Sequence, residues 1–262
     1  MKHEKDTTYI ATISGGKDSV TMCDLLCKNG YPVDYILFAD TLQEFSEMYE
    51  YIEKLKVYFK DRHNKEIIVL KPKSTFEDWA FGTLKNGEGK GNVRGLPLVT
   101  IPCWWRRESK VKPQDEFIKQ FDDDITFYIG FTKDEDRSIK NTDKIAYTYP
   151  LKDIFNMTEN DCKQYLINQE MENPLYRHFS RTGCAMCPYQ SEHAKFNLWK
   201  YYPDTWEYMK KIESKLSGSM NDYWFVGRKT CVDMEKKFKQ ADKQGSLFNF
   251  SDDPLKDCFC KI

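Results

Sequence analysis

Apolar and polar residues in the first 150 positions alternate in short stretches that predict strands separated by helices. Four apolar runs predict buried strands, at 9–13, 33–39, 66–70 and 125–130. A helix is predicted from 19 to 28, where Asn29 and Gly30 end it, and an amphipathic helix follows at 46–59. Strands separated by helices imply right-handed crossovers and a mostly parallel sheet. We therefore predict a three-layer open α/β fold of the nucleotide-binding kind.

The pattern changes after about position 150, and the remainder of the chain predicts helices. A capping-box pattern at 158–161 begins a helix that runs to about 167. From His193 onward the chain is rich in aromatic residues, whose spacing is more typical of a core than of a base-stacking surface. The tail, 244–262, is polar and irregular. We predict two domains, a nucleotide-binding α/β domain at 1–152 and a helical, cysteine-bearing C-terminal region at 153–262.

A glycine-rich stretch lies between the third and fourth predicted strands. Residues 82–95 contain five of the thirteen glycines of the chain. Such a stretch is compatible with a surface loop and equally with a lid over a ligand, because long loops in compact domains tend to carry function.

Composition excludes several classes of protein. The 262 residues include 40 Lys+Arg and 41 Asp+Glu, and the 40% hydrophobic and 15% aromatic content excludes a disordered chain. The net charge of -1 argues against binding nucleic acid by bulk charge and leaves room for a local basic patch. We find no apolar run of about 20 residues and no secretory signal, so we expect a cytoplasmic protein with no membrane partner.

The segment that joins the first strand to the first helix has the composition of a phosphate-binding loop. Its glycines let the backbone approach a ligand closely, and the free amides at the start of the helix attract an anion. Asp18 is costly beside phosphates, so we assign it to Mg²⁺ or to orienting the loop. The spacing fits neither a Walker A loop nor a dinucleotide fingerprint. The predicted ligand-binding residues are Ser14, Gly15, Gly16, Lys17, Asp18 and Ser19.

Nine cysteines are a high count for an intracellular chain of this size. An odd number argues against a disulfide framework and favours metal, cluster or redox use of a subset. Cys184 and Cys187 form a Cys-x-x-Cys pair that alone is compatible with zinc, an iron–sulfur cluster or a redox dithiol. Cys103, with Cys258 or Cys260 from the tail, can complete four thiolates, which suit a 4Fe–4S cluster. We take Cys260 as the fourth ligand and keep zinc as the alternative.

A basic cluster follows two tryptophans at 104–105. It consists of Arg106, Arg107, Lys110 and Lys112. Such a run is compatible with a solvated helix face or, because planar guanidinium groups suit phosphate oxygens, with a ligand site. Arg137 follows the end of a strand, where open α/β sheets bind their ligands.

Several spaced motifs together carry a resemblance to a known family. The SGGKDS sequence at 14–19 resembles the PP-loop of the adenine nucleotide α-hydrolase-like superfamily of ATP pyrophosphatases. Further segments, in order over about 8–210, resemble the phosphoadenosine phosphosulfate (PAPS) reductase family, particularly its phage and bacterial, DndC-like branch. These segments are Asp40-Thr41 with Glu44-Phe45, Arg107 to Pro113 (Arg-x-x-Lys-x-x-Pro), Gly130 with Asp134 to Arg137, and His178 to Arg181 leading into Cys184 to Pro188.

The resemblance implies an adenine nucleotide α-hydrolase-like fold and an adenine nucleotide as ligand. It places Asp40 in the nucleotide site and favours phosphate contacts for Arg107, Lys110 and Arg137. The cofactors that it implies are ATP, or PAPS or its adenylyl-sulfate (APS) relative, together with Mg²⁺ and a 4Fe–4S cluster. Members of the family often carry a cysteine closer to the arginine than Cys103, which precedes Arg107 by four residues.

These residues predict an ATP pyrophosphatase-type sulfurtransferase, in which ATP adenylylates an acceptor and a sulfur nucleophile displaces AMP. Lys17 and Asp18 are the predicted catalytic residues at the phosphates, and Cys258 and Cys260 are the predicted sulfur-bearing ones. One alternative is a PAPS or APS reductase that releases sulfite. The phosphate loop is intact, and the tail departs from the reductases' Glu-Cys-Gly-x-His-like segment, which favours ATP cleavage.

A further alternative, from another class, is a nucleotide-sensing or partner-binding protein without turnover. Intact Lys17, Asp18 and Ser19 argue against it. The expected partners are an adenine nucleotide, a nucleic-acid or small-molecule sulfur acceptor, a sulfur-donor or reductant protein, and a second copy of the chain in a homodimer.

Overall fold

A computed structural model describes residues 6–98, 102–225 and 227–243. Its centre is a sheet of five strands, all parallel, in the order β3-β2-β1-β4-β5. The strands are β1 (Thr7–Thr12), β2 (Tyr35–Ala39), β3 (Ile67–Leu70), β4 (Asp124–Tyr128) and β5 (Ile145–Thr148). The open parallel α/β fold predicted from the sequence is therefore confirmed.

Helices connect the strands and build the second half of the chain. In the first half they are α1 (Lys17–Lys28), α2 (Ser46–His63), α3 (Phe76–Ala80), α4 (Trp104–Arg106) and α5 (Lys112–Ile118). In the second half they are α6 (Pro150–Asp153), α7 (Glu159–Asn168), α8 (Glu192–Tyr201), α9 (Pro203–Lys215) and α10 (Cys231–Lys243). A short 3₁₀ helix covers Pro174–Arg177. No helix in the described ranges is long and apolar enough to cross a membrane.

The sheet is covered on both faces, which makes the fold three-layered. Side chains alternate along each strand, so Ile10 and Phe127 face one core while Tyr9 and Tyr128 face the other. The first core is small and is closed by aromatic and aliphatic residues around α5. The second is large and includes the buried faces of α1, α2 and α7. Burial on both faces explains why the central strands appear in the sequence as continuous apolar runs.

Most predicted elements are confirmed, with ends shifted by up to two residues in most cases and by four at the end of α2. The capping box of α7 is present, since the Thr158 hydroxyl accepts from the Asp161 amide and the Asp161 carboxylate accepts from the Thr158 amide. The glycine-rich stretch forms a short hairpin, with an antiparallel bridge between Thr83 and Val93. The amide of Leu96, at its end, donates to the carbonyl of Asn221.

The aromatic residues of the second half form a core, as their spacing predicts. Trp206 is 1% exposed and packs against Phe225 and Phe238. Apolar residues of α8–α10 belong to the same large core as α1 and α2. The division of the chain at 152/153 stays a prediction.

A π-helical turn, Arg107–Val111, joins α4 to α5. It buries Ser109 and Lys110, and the Ser109 hydroxyl donates to the Trp105 carbonyl at 2.7 Å. The Trp105 indole in turn donates to the carbonyl of Thr41 at 3.1 Å, which fixes this segment beside the end of β2. Single π turns inside helices frequently mark functional positions.

Candidate active site

A cavity opens at the carboxyl ends of β1 and β4, where successive connections leave the sheet in opposite directions. Open α/β folds bind ligands at this point. The cavity has an empty volume of about 670 Å³. Its lining combines the predicted phosphate loop with residues from the second half of the chain, and consists of Ser14, Gly16, Lys17, Asp18, Ser19, Glu44, Lys110, Gly130, Glu159, Tyr176, Arg181, Thr182 and Gly183.

Two glycines allow the backbone geometry of this cavity. Gly15 has φ +75°, a left-handed conformation that favours glycine, and a Cβ there would lie 2.4 Å from the sulfur of Met48. Gly130 follows β4, and a Cβ on it would lie 3.1 Å from the amide nitrogen of Ser19. Glycine at 130 therefore lets the end of β4 approach the start of α1 closely, and this contact forms the floor of the cavity.

Lys17 is held at the first turn of α1 by groups from the second half of the chain. Its backbone amide donates to the Tyr176 hydroxyl at 2.8 Å, and its ammonium lies 2.8 Å from the Glu159 carboxylate and 3.6 Å from that of Asp18. Burial opposes the charge of Lys17, but Asp18, Tyr176 and Glu159 outweigh it and raise the pKa of the ammonium. Lys17 is therefore cationic at neutral pH, as a phosphate ligand must be.

Asp18 brings a carboxylate into the cavity formed at the predicted phosphate loop. It is 5% exposed and lines the cavity beside Ser19, at the positive end of α1. A carboxylate among phosphate groups fits a bound Mg²⁺, since this ion is held in proteins by one or two carboxylates and by the phosphates of the substrate. The chemistry of the donor set is therefore compatible with magnesium at Asp18.

We predict that Glu159→Gln strengthens nucleotide binding. The Lys17 ammonium donates to the Glu159 carboxylate, which takes the position that a phosphate oxygen would take. A bound nucleotide therefore has to displace this carboxylate. Glu159 is nearly half exposed, and such ion pairs contribute up to about 1 kcal/mol. The dissociation constant, measured by calorimetry with ATP, should fall by up to about fivefold.

The matched control is Glu170→Gln, an exposed position just beyond α7 that does not line the cavity. Its affinity for ATP should equal that of the wild type. Weaker binding by Glu159→Gln would mean that Glu159 acts with the ligand, through a cation, and would contradict this prediction.

The structure brings some of the predicted nucleotide contacts to the cavity and leaves others outside its lining. All six loop positions and Lys110 lie at the cavity or form its turn. Asp40 is buried nearby, where its carboxylate accepts from the Leu42 amide and the Tyr49 hydroxyl. Arg107 is exposed. The nucleotide contacts of Asp40 and Arg107 stay predictions.

Arg137 is engaged with its neighbours beyond β4. Its guanidinium pairs with Glu135 and lies 4.8 Å from the centroid of the Phe131 ring. It does not line the described cavity, and its predicted phosphate contact likewise stays a prediction.

Several residues of the cavity were not predicted from the sequence. Glu159, Tyr176 and Thr182 come from the second half of the chain, and no spacing relates them to the loop. Arg181 lies in the segment that leads to the Cys-x-x-Cys pair, which is the one available signal for it. The lining carries three cationic side chains, Lys17, Lys110 and Arg181, which suit an anionic ligand. It also carries three carboxyl groups, those of Asp18, Glu44 and Glu159.

Three of the predicted metal ligands line a second cavity beside the first. Cys103, Cys184 and Cys187 line this cavity together with Arg106 and Lys110. Cys258 and Cys260 lie outside the described residues, so their predicted roles are not addressed by the structure. The three described thiols come together although Cys103 lies about 80 positions before the pair.

The two cavities share a wall. Lys110 lines both of them, and Gly183 of the first is followed directly by Cys184 of the second. The Ala185 amide donates to the Gln43 carbonyl at 2.7 Å, which fixes the Cys-x-x-Cys turn beside the loop that follows β2. A nucleotide in the first cavity would therefore lie next to the thiols.

Burial keeps the thiols protonated in the ligand-free protein. It raises the pKa of Cys103 to about 11, and it raises the pKa of Cys184 and of Cys187 as well. Lys110 lowers the pKa of the last two thiols, without overcoming burial. Binding as thiolates therefore requires a positively charged group that displaces the protons.

The donor chemistry of this cavity fits a thiolate-ligated centre. In a 4Fe–4S cluster each thiolate binds a different iron, and zinc likewise accepts thiolate ligands. Cys103, Cys184 and Cys187 line one cavity, and they would hold the cluster.

An open parallel sheet with a glycine-rich phosphate loop at its switch point, next to a cysteine cavity, defines a class of nucleotide-binding α/β proteins. Within it, the chain belongs to the phosphoadenosine phosphosulfate reductase domain family, whose sequence pattern matches residues 8–190. The family predicted from the motifs is thereby confirmed.

Individual relatives are distant. Uncharacterized protein MJ0066 of Methanocaldococcus jannaschii is 26% identical over 213 residues, which cover 78% of this chain and 41% of that protein. The chain thus spans less than half the length of this relative.

Two solved structures are similar at lower identity. Phosphoadenylyl-sulfate reductase from Candida auris, in a phosphate complex, is 19% identical, with a TM-score of 0.49 over 69% of this chain and 82% of that one. The U34-tRNA thiolase NcsA from Methanococcus maripaludis, with its 4Fe–4S cluster, is 16% identical, with a TM-score of 0.39 over 83% and 74%.

Proposed function

We propose that this protein is an ATP-dependent sulfurtransferase that adenylylates an acceptor at the first cavity and transfers sulfur to it beside the second. The observation that carries the proposal is the shared wall: an intact phosphate loop and three thiols lie on either side of Lys110. Two activities that must act on one substrate in succession require such adjacent sites.

In the first step an oxygen of the acceptor attacks the α-phosphorus of ATP. The bond between the α-phosphorus and the bridging oxygen breaks, and pyrophosphate leaves with the electron pair. Amides at the start of α1 and the Lys17 ammonium stabilise the charge that develops on the phosphates, and Asp18 would hold the Mg²⁺ that neutralises them. Lys110 and Arg181 supply further positive charge in the lining of the cavity.

In the second step a sulfur nucleophile displaces the activated oxygen. The sulfur forms a bond to the acceptor atom, AMP leaves with the oxygen, and the acceptor retains sulfur in its place. A cluster held by Cys103, Cys184 and Cys187 would supply an iron site for the donor sulfide. The apolar walls of this cavity, among them Phe76 and Pro188, exclude water that would hydrolyse the adenylate.

Reduction of PAPS or APS is the second candidate, because the family takes its name from that reaction. A thiolate then attacks the sulfonate sulfur and the adenosine phosphate leaves. A second thiol attacks the resulting thiosulfonate, so that sulfite leaves and a disulfide remains. In this case the first cavity binds the nucleotide and no bond between its α- and β-phosphates breaks.

Product analysis distinguishes these candidates. The anaerobically purified protein is incubated with Mg²⁺, ATP and a sulfide source, with total RNA, duplex DNA or a metabolite extract as acceptor, and separately with PAPS or APS and a dithiol. The sulfurtransferase releases AMP and pyrophosphate in equal amounts, and only with an acceptor. Sulfite formation identifies the reductase instead. Nucleotide binding without any product would indicate a non-catalytic nucleotide-binding protein and contradict the proposal.

A further inference from the structure

A lysine ammonium is buried directly behind the cysteine cavity. Lys195, on α8, is 3% exposed, and its Nζ donates to the carbonyl of Pro188 at 3.1 Å. Pro188 immediately follows Cys187 and lines the cavity with it. The ammonium also lies 4.9 Å from the centroid of the Phe225 ring, whose face attracts a cation.

No carboxylate in the described ranges forms an ion pair with Lys195. Glu192, one turn earlier on α8, pairs with Lys237 instead. The buried carboxylate of Glu213 accepts hydrogen bonds from the backbone amides of Trp224 and Cys231. Glu192 therefore favours the charge of Lys195 only from a distance, and the direct partners of the ammonium among the described residues are a carbonyl and a ring.

An ammonium buried without an opposite charge is strongly unfavourable, because a carbonyl and a ring replace only part of its hydration. The carbonyl to which Lys195 donates belongs to Pro188, which follows Cys187 directly in the lining of the cysteine cavity. Thiolate ligands in that cavity would supply the negative charge that a carbonyl and a ring do not. Thiolate ligands at these cysteines would therefore explain why the charge of Lys195 is buried at this position.

We propose that Lys195 is the buried counter-cation of an anionic thiolate centre at Cys103, Cys184 and Cys187. This inference rests on the cysteine part of the proposed function. Three thiolates carry more negative charge than one Zn²⁺ neutralises, and a thiolate-ligated cluster is likewise anionic. A buried cation beside the cavity would therefore stabilise either centre. Lys195 is then a positioning residue, which acts on the centre through the Pro188 carbonyl and through its field and does not bind the metal.

One substitution should therefore have opposite effects on the stability of the metal-free protein and of the metal-bound protein. Lys195→Met keeps most of the side-chain volume and removes the charge. The protein freed of metal by a chelator should become more stable, with a higher thermal midpoint, because an uncompensated buried charge is gone. The loaded protein should become less stable and lose metal faster, because the centre has lost its counter-charge.

The experiment compares wild type, Lys195→Met, Lys195→Gln and, as matched control, Lys200→Met, an exposed lysine of the same helix. Each is measured metal-free, after anaerobic reconstitution with ferrous iron and sulfide, and after addition of Zn²⁺ alone. The readouts are the thermal midpoint, the iron, sulfide and zinc per chain, and the reduction potential of the cluster. We expect both Lys195 variants to retain at most about half as much metal as the wild type. The reduction potential of their cluster should be more negative than that of the wild type. Lys200→Met removes an exposed ion pair with Asp242, so its thermal midpoint serves as the measure of losing a surface charge, and its metal content and reduction potential should match the wild type.

Each outcome either supports or contradicts the role of Lys195 as a counter-cation. Equal metal retention and potential in wild type and both Lys195 variants would overturn the inference and leave the proposed function standing. Metal-free variants that are less stable than wild type would overturn it too, since they would show an ordinary structural lysine. If wild type binds Zn²⁺ but forms no cluster, the cluster in the proposed function is wrong, and weaker zinc retention by the variants still supports the counter-cation. A wild type that binds neither probe contradicts both.

Discussion

Asp18→Asn is expected to reduce acceptor-dependent pyrophosphate release by about a hundredfold, the effect of removing one essential electrostatic contact from an active site. The asparagine keeps the shape of the side chain but no longer holds the Mg²⁺ that would bridge it to the phosphates. Since Asp18 lines the cavity and asparagine has nearly the same size, the thermal midpoint should change little. Pyrophosphate release and the Mg²⁺ dependence of ATP binding measure the effect.

Asp143→Asn is the matched control for this variant. Asp143 is exposed and precedes β5, outside the cavity. It should release pyrophosphate at the wild-type rate. If Asp18→Asn did so too, and with an unchanged Mg²⁺ requirement, Asp18 would have no role in metal binding.

Cys184→Ser is expected to remove most of the iron and sulfide from anaerobically purified protein. A hydroxyl is a poor ligand for iron, and two described thiols remain at the cavity. The brown colour and the visible absorbance should disappear together with the iron. Pyrophosphate release should persist, because the phosphate loop is untouched, while the sulfur content of the acceptor falls to background.

Cys27→Ser tests whether any cysteine would have this effect. Cys27 is a half-buried thiol near the end of α1 that does not line the cysteine cavity. It should retain the colour and the iron of the wild type. Wild-type protein that is colourless, contains zinc and loses it in Cys184→Ser would show that the cluster assignment is wrong and that the ligand assignment is right.

The fold was largely predictable because its strands are buried on both sides. A continuous apolar run such as 35–39 is more typical of a buried strand than of any other element of that length. The strand that the sequence did not predict, β5, lies at the edge, and all four of its residues are only half buried. Its sequence, Ile-Ala-Tyr-Thr, shows no alternation of apolar and polar residues and is too short to be distinguished from a loop.

The site was predictable where neighbouring residues form it and not where distant ones do. The phosphate loop is one contiguous segment, and its glycines have a local reason that the sequence shows. Tyr176 contacts Lys17 across 159 positions, and nothing in the local pattern of either residue indicates the other. Lys110 and Arg107 looked equivalent as members of one basic run, but the structure buries the first and exposes the second.

The π turn at Arg107–Val111 sets the phase between the residues before and after it. Each residue of an α-helix advances the chain by about 100°, and a π turn accommodates one residue more than an α turn does. If the same residues formed an ordinary α turn, the segment before the turn would be rotated by about 100° relative to Lys110. Cys103, which precedes α4, would then be carried away from the cavity that it lines together with Lys110. The extra residue that the π turn absorbs thus keeps Cys103 and Lys110 at one cavity.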